Sequence, residues 1–548
     1  MKRPVNIPEY TFRSLTDTVA EKYSSDIAYS SYQHPERDIS YSQLKERADR
    51  LSSYLLSLGL EKGDRVAIYS PSSSEWMVCY LAIVNVGLTA VPILPDFSSR
   101  ESSLILEESS AKVLFVSERL ERRIIETSLR RGIVLINIDT MRERESGRYA
   151  LGCDVNASQL SENAPSPDDT ASIIFTSGTT GKSKGVMLTH RNILYSADEA
   201  SLPYIRVKRD YRVLSILPMS HVYEFTLGHV LPLMCGCRIT VLGRTPSASV
   251  LLPAFKAVRP HIIMTVPLII EKIYSSSVRP LLQNERVGKL CSNPFMRRII
   301  CRLIGHRILS ALGGRMKFFG IGGAPLDSET EEFLYDASFP YALGYGLTET
   351  SPLIASCGPG KRQHSLHRIG KIVRGLDVKI LDPNEEGIGE LCVKGPSVMK
   401  GYYSNDALNR ESYTEDGYFR TGDLAQLDSC GFLAIRGRSK TMILLSGGEN
   451  IYPEDIESLI NRKEFVEESL VVNHSGILTA LVKLDIASYQ KALALTVGEA
   501  KEKAKNYVKE VIRDVNKDLS AFQRIGEVLL QETAFERTPT YKIKRYLY

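Results

Sequence analysis

Cysteine is sparse and unpatterned in this chain: nine residues scatter from Cys79 to Cys430, and only Cys235 and Cys237 stand close together. An odd count without ligand spacing allows neither a disulfide framework nor a zinc pattern to be drawn, so a reducing cytoplasm is the expected compartment. Long apolar runs are also missing. The stretches 83–94 and 262–270 fall short of the ~20 residues a bilayer span needs, and Pro92 and Pro267 interrupt them. The opening MKRPVNIPEYTF offers no apolar h-region and no small-residue cleavage site, and secretion is not expected. No internal repeat or low-complexity tract occurs. Charge of one sign is scarce as well: the net +5 is small for 548 residues, so the distribution of charge says more than its total.

What is present is a soluble globular composition, 43% apolar and 24% charged, on a chain too long for one core. From 41 to 58, Leu44, Ala48, Leu51, Leu55 and Leu58 share one helical face, and Gly59 supplies a stop. Strand-like 66–69, an apolar helix near 76–86, strand 89–94, a helix near 102–108 and strands at 112–116 and 133–136 follow. Such alternation predicts βαβ units and a largely parallel sheet, continuing to about residue 420. The texture changes after Arg438, where SGGEN and YP are turn signals and a Lys-rich helix is expected over about 498–519. The expected fold is therefore α/β: a large N-terminal region of α/β subdomains with mixed and parallel sheets, residues 1–437, and a small α+β C-terminal domain, 438–548.

A short apolar strand at 172–175 leads directly into TSGTTGKSKGV, 176–186. Three glycines, two lysines and five hydroxyl side chains in one turn expose many N–H and O–H donors, which suits a polyphosphate. The loop is not of the Walker A type, because only two residues separate Gly178 from Gly181 where that motif needs four. A flexible surface loop would explain the glycines and hydroxyls but not two lysines beside them.

TSGTTGKSKGV resembles the signature of the adenylate-forming superfamily, which holds acyl-CoA synthetases, luciferases and the adenylation domains of peptide synthetases. An ordered set of further segments carries the same resemblance over nearly the whole chain: LPMSHVYE at 217–224, GGAPL at 322–326, GYGLTET at 344–350, YFRTGDL at 418–424, GRSKTMILLSGGENIYPEDIE at 437–457 and TPTYKIKR at 538–545.

Joining a carboxylate to ATP sets an anion against a polyanion, so charge must be neutralised, the α-phosphorus held in line, and water excluded. The resemblance implies the parts. Thr176, Ser177, Gly178, Thr179, Thr180, Gly181 and Lys182 would hold the β- and γ-phosphates, with Lys184 as a second charge nearby. Glu349 would position Mg²⁺, which accepts one carboxylate and phosphate oxygens, and Thr348 would lie against the α-phosphate. Tyr345 would stack on adenine beside Gly346, with Gly322, Gly323 and Ala324 lining the base and acyl pocket. Asp423 would accept the ribose hydroxyls, each such bond being worth ~1.5–3 kcal/mol, and Arg438 would contact ribose or phosphate. His221 matches the histidine at the acyl-carboxylate entrance. Lys542 matches the catalytic lysine bridging carboxylate and α-phosphate, a role that suits a compact charge on a long stem. Lys440 occupies the hinge about which the C-terminal domain turns. Ser446, Gly447 and Gly448 would admit the pantetheine thiol closely.

HVYE, TVPLIIEKIY at 265–274, and the absence of a glycine before Lys542 look more like long-chain fatty acyl-CoA synthetases than acetyl- or aryl-CoA ligases. The implied reaction is ATP-dependent activation of a medium- or long-chain fatty acid and transfer to coenzyme A; an acyl carrier protein is the alternative acceptor. A catalytically silent nucleotide-binding homologue and luciferase-like oxidation are the remaining readings, and no nucleic-acid partner is expected. Phe225 and Tyr223 read as core aromatics rather than tunnel gates. One segment stands apart: 286–326 holds no acidic residue but contains Lys289, Arg297, Arg298, Arg302, Arg307, Arg315 and Lys317. With Phe295, Ile299, Leu303, Ile304 and Ile308 on one helical side, it predicts a basic amphipathic helix that lies either on the domain with its cations outward or against an anionic membrane or acidic carrier.

Overall fold

Ser40 opens helix Tyr41–Ser57 by a reciprocal cap: its hydroxyl accepts the Gln43 N–H, and the Gln43 side chain accepts the Ser40 N–H at 2.9 Å. Leu44, Ala48, Leu51 and Leu55 of that helix are buried, as the periodicity requires. The computed structural model describes residues 5–124, 132–177, 183–204, 207–360, 364–439, 441–444, 450–474, 477–494, 496–520, 523–537 and 543–548. They fall into two compact units, the first Met1–Val378 with Val393–Phe419 and Gly431–Leu433, the second Lys379–Cys392 with Arg420–Cys430 and Ala434–Tyr548.

The first unit is built on two sheets. One has eight strands in the order Gly401–Tyr402, Ser183–Thr189, Thr170–Ser177, Thr89–Ile93, Arg65–Tyr69, Val113–Val116, Val134–Asn137 and Arg142–Glu143. Its centre is parallel, with Val66 paired to both Ala90 and Val113. Every residue of Val66–Tyr69 and Val113–Val116 is buried because helices cover both faces, so these strands read as continuous apolar runs. On one side Thr170–Ser177 adds parallel to Thr89–Ile93, and Ser183–Thr189 pairs antiparallel with Thr170–Ser177, Thr176 opposite Lys184 and Ser177 opposite Ser183. The ends of the expected phosphate loop, Thr176, Ser177 and Ser183 onward, belong to these two strands, and residues 178–182 between them lie outside the described residues.

Strands Ile27–Ser31, Arg238–Val241, Arg212–Ser215, Ile262–Thr265, Phe318–Ile321 and Tyr341–Gly346 run parallel, in that order, in the other sheet. Beyond Gly346 the expected βαβ alternation stops. Leu353–Ser356 pairs antiparallel with Tyr341–Gly346, and Gly370–Ile372 antiparallel with that strand in turn. Short connections suffice for antiparallel neighbours, whereas a parallel pair needs a crossover of a dozen or more residues, and the described residues between these strands form no α-helix to supply one.

In the second unit, Val466–His474 and Ile477–Leu484 form an antiparallel pair, and Glu527–Leu530 adds parallel to the latter. The crossover to that third strand contains helix Val497–Asp518, close to the Lys-rich helix expected. Its apolar side, Ala504, Val508, Val511 and Val515, packs with Ile456 and Ile460 of helix Pro453–Asn461.

Candidate active site

Three sequence motifs start where parallel strands of this sheet end. LPMSHVYE follows Arg212–Ser215, GGAPL follows Phe318–Ile321, and GLTET continues out of Tyr341–Gly346. The carboxyl edge of a parallel sheet is where open α/β folds bind ligands, since loops there leave the strands in the same direction. Gly322 donates its N–H to the Thr265 carbonyl at 3.1 Å. A Cβ on Gly322 would stand 3.2 Å from Cζ of Tyr223 and 3.4 Å from the Gly344 carbonyl, so LPMSHVYE, GGAPL and the GYGLTET strand meet at that glycine. Gly323 has φ +86°, which favours glycine, and it lies exposed beside Ala324.

His221 is half-buried where the chain turns into a helix: its N–H is bonded to Pro218 O, its carbonyl accepts from Phe225 N, and its Nδ1 accepts from Tyr223 N at 3.3 Å. Tyr223 and Phe225 are core residues, in keeping with the sequence reading. Phe225 sits 4.4 Å from the Tyr80 ring, with Trp76 and Phe12 around it. Glu224 between them is buried, 3.7 Å from Nε2 of His229, whose ring also bonds Tyr29 Oη and Ser215 Oγ at 3.0 Å each. The motif is thereby anchored under the sheet while His221 stays partly open.

Tyr345 is half-buried in its strand opposite Ala355. Gly346 follows, and only glycine fits there: a Cβ would fall 1.7 Å from the Pro352 carbonyl oxygen. That close approach folds the chain back through the single turn Thr348–Thr350. Leu347 N–H bonds Pro352 O at 3.0 Å, and the turn presents Thr348 and Glu349 half-buried at the sheet edge.

Glu349 is joined to the strand Ser183–Thr189 by a residue the sequence reading overlooked. Tyr402 donates its hydroxyl to Glu349 Oε1 at 2.8 Å, and its ring lies 5.2 Å beneath Lys184 Nζ. The backbone of Tyr402 pairs antiparallel with Val186 on the strand that leaves the loop. Met399 N–H bonds the Glu349 carbonyl at 2.8 Å, closing a second link. Burial, and then the Glu349 charge, raise the Tyr402 phenol well above its ordinary value, so it remains a protonated donor. Tyr413 is pushed to about 12 by the same two causes.

The donor chemistry fits a hard cation. One oxygen of Glu349 is oriented by the phenol of Tyr402, whose ring lies under Lys184 of the strand Ser183–Thr189. Mg²⁺ keeps waters and phosphate oxygens and needs few protein ligands, so Glu349 would hold it and the ion would supply charge neutralisation at the phosphates.

The second unit holds its own pair. Asp423 is buried and lies 2.9 Å from Nε of Arg438. Ser439 closes the turn by donating N–H and hydroxyl to Gly422 O, at 2.9 and 3.1 Å, and Glu390 accepts Gly422 N–H at 3.1 Å. The two residues expected on ribose are thus neighbours within one unit.

Lys182 with Gly178, Thr179, Thr180 and Gly181, the hinge Lys440, Ser446, Gly447 and Gly448, and Lys542 lie outside the described residues. What flanks Lys542 is well anchored. Arg537 and Ile543 form an isolated antiparallel bridge, and Lys544 N–H bonds Glu536 O at 2.8 Å. The Arg545 guanidinium grips Glu457 with both arms, Nη1 to Oε1 at 2.8 Å, and Oε1 also accepts Val471 N–H at 2.7 Å. Removing one partner of such a buried pair costs about 3–5 kcal/mol. Glu457→Ala should therefore lower the thermal stability of the second unit by about that much, with Glu457→Gln recovering part of it. On the role that the resemblance implies for Lys542, a change at Glu457 is expected also to slow adenylate formation more than thioester formation from supplied adenylate. Equal slowing of both halves would restrict it to stability.

The AMP-binding enzyme family pattern matches residues 16–403, and the AMP-binding enzyme C-terminal domain pattern matches 440–547. The chain belongs to the AMP-binding enzyme family. As such it is an adenylate-forming enzyme, and its mixed α/β architecture with a smaller C-terminal domain is that of the family. This AMP-binding enzyme is 29% identical over 538 residues to a long-chain-fatty-acid–CoA ligase of Mycobacterium bovis, covering 90% of this chain and 87% of that one. It is 28% identical over 620 residues to a chloroplastic long-chain-fatty-acid–[acyl-carrier-protein] ligase of Arabidopsis thaliana, covering 96% and 83%. ATP-bound MatB from Rhodopseudomonas palustris superposes with a TM-score of 0.76 at 25% identity over 98% of each chain. No described helix of the enzyme is long and apolar enough to cross a membrane.

Proposed function

We propose that this AMP-binding enzyme is an acid–thiol ligase that activates a medium- or long-chain fatty acid. A carboxylate oxygen of the acid attacks the α-phosphorus of ATP, pyrophosphate leaves, and an acyl-adenylate forms. The thiol of coenzyme A then attacks the acyl carbonyl, and AMP departs as the thioester is made. The observation that supports this reading is the link from Lys184 through Tyr402 to Glu349, which brings a cation and an oriented carboxylate to the two sides of one phenol.

Within that reading, Thr176, Ser177 and the loop to Lys182 bind the β- and γ-phosphates, while Thr348 and Lys542 act at the α-phosphate. Tyr345, Gly346 and the Gly322, Gly323 and Ala324 turn line the adenine and acyl pocket; Asp423 accepts the ribose hydroxyls, oriented by Arg438. His221 stands at the carboxylate entrance. The domain that follows Lys440 turns after adenylation, replacing Lys542 by the loop of Ser446, Gly447 and Gly448 for the thioester step. The relatives named above support a fatty acid as substrate, and the Arabidopsis relative supports an acyl carrier protein as the second acceptor to test.

Pyrophosphate exchange should rise with chain length from acetate to medium- or long-chain acids, and AMP release should then require coenzyme A. Exchange that peaks with acetate or an aryl acid would overturn the substrate class. Release with carrier protein and not coenzyme A would overturn the acceptor. The absence of acid-dependent exchange would leave a nucleotide-binding homologue without chemistry.

A further inference from the structure

Helix Pro294–Ala311 is seated by its smallest side chains. Cys301 and Gly305 are its buried positions, and a Cβ on Gly305 would come within 2.8 Å of the Cβ of Ala337, at the end of helix Ser328–Asp336. Ile304, Ile308 and Leu309 pack against the core beside them. The sequence reading placed Phe295, Ile299 and Leu303 on the same side as Ile304 and Ile308, and the structure separates them. Phe295 is 70%, Ile299 37% and Leu303 65% exposed. They stand four residues apart, in one row along the helix.

A cationic row runs alongside. Arg298 and Arg302 each lie one residue from the apolar row, Arg307 follows Leu303 by one helical turn, and all three are exposed. Among the described residues Arg302 and Arg307 have no ion-pair partner, and Arg298 approaches Asp336 only to 3.8 Å while its side chain stays 57% exposed. Arg297 is different: its Nε is 2.8 Å from Asp336, and it ties the helix down instead of facing outward. A surface helix ordinarily turns its polar side to water. This one shows water a ridge of large apolar side chains flanked by guanidinium groups, within a stretch, 286–326, that contains no acid.

We propose that this face docks on an anionic lipid surface. Phe295, Ile299 and Leu303 would enter the boundary between headgroups and acyl chains, while Arg298, Arg302 and Arg307 remain at the level of the lipid phosphates, the division of labour of an interfacial helix. An acidic protein would satisfy the cations but gives no reason for an exposed phenylalanine and leucine between them. A second copy of the chain would cover the apolar ridge but bring the arginines against one another. Lipid phosphate over hydrocarbon answers both features, and the inference stands whichever acid the enzyme activates.

Co-sedimentation of the full-length protein with phosphatidylcholine vesicles, with and without phosphatidylglycerol, tests it. Binding is expected only with phosphatidylglycerol and should fall as salt is raised. Combined Arg298→Glu, Arg302→Glu and Arg307→Glu should weaken the partition by roughly 100-fold or more, and Phe295→Ser with Leu303→Ser by roughly tenfold or more. Both variants should melt as the parent does, because the changed side chains are exposed; the salt and lipid-charge dependence of the unaltered protein tests the idea without them. Failure to bind phosphatidylglycerol vesicles, equal binding to neutral vesicles, or binding unchanged in both variants would overturn it. So would loss of self-association in the Phe295→Ser, Leu303→Ser protein without lipid, or selective binding to an acidic protein in place of vesicles.

Discussion

Lys542→Ala is expected to slow acyl-adenylate formation by about 10³-fold or more while leaving conversion of supplied acyl-adenylate to thioester within about tenfold of the parent. The asymmetry follows from where charge develops. In the proposed reaction two anions must meet in the first half, and the Lys542 ammonium would stand between the carboxylate and the α-phosphate to offset their repulsion; a thousandfold loss corresponds to about 4 kcal/mol. The second half-reaction begins from a mixed anhydride that has already lost pyrophosphate, and the thiol attacks carbon, so that ammonium has no comparable task. Stopped-flow detection of pyrophosphate, followed by thioester formation from synthetic adenylate, reads the halves separately. Lys440→Pro should give the opposite pattern, because a proline removes the freedom a hinge needs. Equal loss of both halves in the alanine variant would contradict a domain that presents two faces in turn.

The anchoring of the segment around Lys542 shows what a sequence can and cannot tell. TPTYKIKR makes Lys542 the candidate by its neighbours, but nothing in that string reveals that Arg545 is clamped by Glu457, 88 residues earlier in the chain. Side-chain pairs at such separations exist only through the fold. Tyr402 is the sharper case. It stands in an ordinary GYY, 53 residues from the glutamate to which it donates, and no periodicity or spacing distinguishes it from a core tyrosine.

Elements with strong local signals were legible. Helix Tyr41–Ser57 and strands Arg65–Tyr69, Thr89–Ile93 and Val113–Val116 follow directly from apolar spacing and turn residues. The antiparallel strands beyond Gly346 were not, because short half-buried segments carry the same residues whichever way their neighbour runs. Helix Pro294–Ala311 misleads for a different reason. Its seat is marked by Cys301 and Gly305, side chains too small to register in an apolar pattern, so hydropathy points to the larger residues on the opposite side.

Glu349→Gln should reduce adenylation by about 10²- to 10³-fold, roughly 3–4 kcal/mol of transition-state stabilisation, and raise the Mg²⁺ concentration needed for half-maximal rate. The amide keeps the size of the side chain and can still accept from Tyr402, so the turn Thr348–Thr350 and its bond from Met399 are retained. What is lost is the negative charge that would hold a divalent cation against the phosphates. Tyr402→Phe separates charge from orientation. It leaves the carboxylate and preserves a ring under Lys184, removing only the 2.8 Å hydroxyl bond. A hydrogen bond to a charged group is worth about 1.5–3 kcal/mol, so the phenylalanine variant should lose roughly ten- to a hundredfold at limiting Mg²⁺ and recover toward the parent as the ion is raised. The glutamine variant should not recover in the same range. Rates measured across a Mg²⁺ titration, with pyrophosphate release as readout, distinguish these outcomes. Unchanged Mg²⁺ dependence in Glu349→Gln would remove this glutamate from the cation site, and an unaffected Tyr402→Phe would reduce the tyrosine to a packing residue at the edge of the sheet.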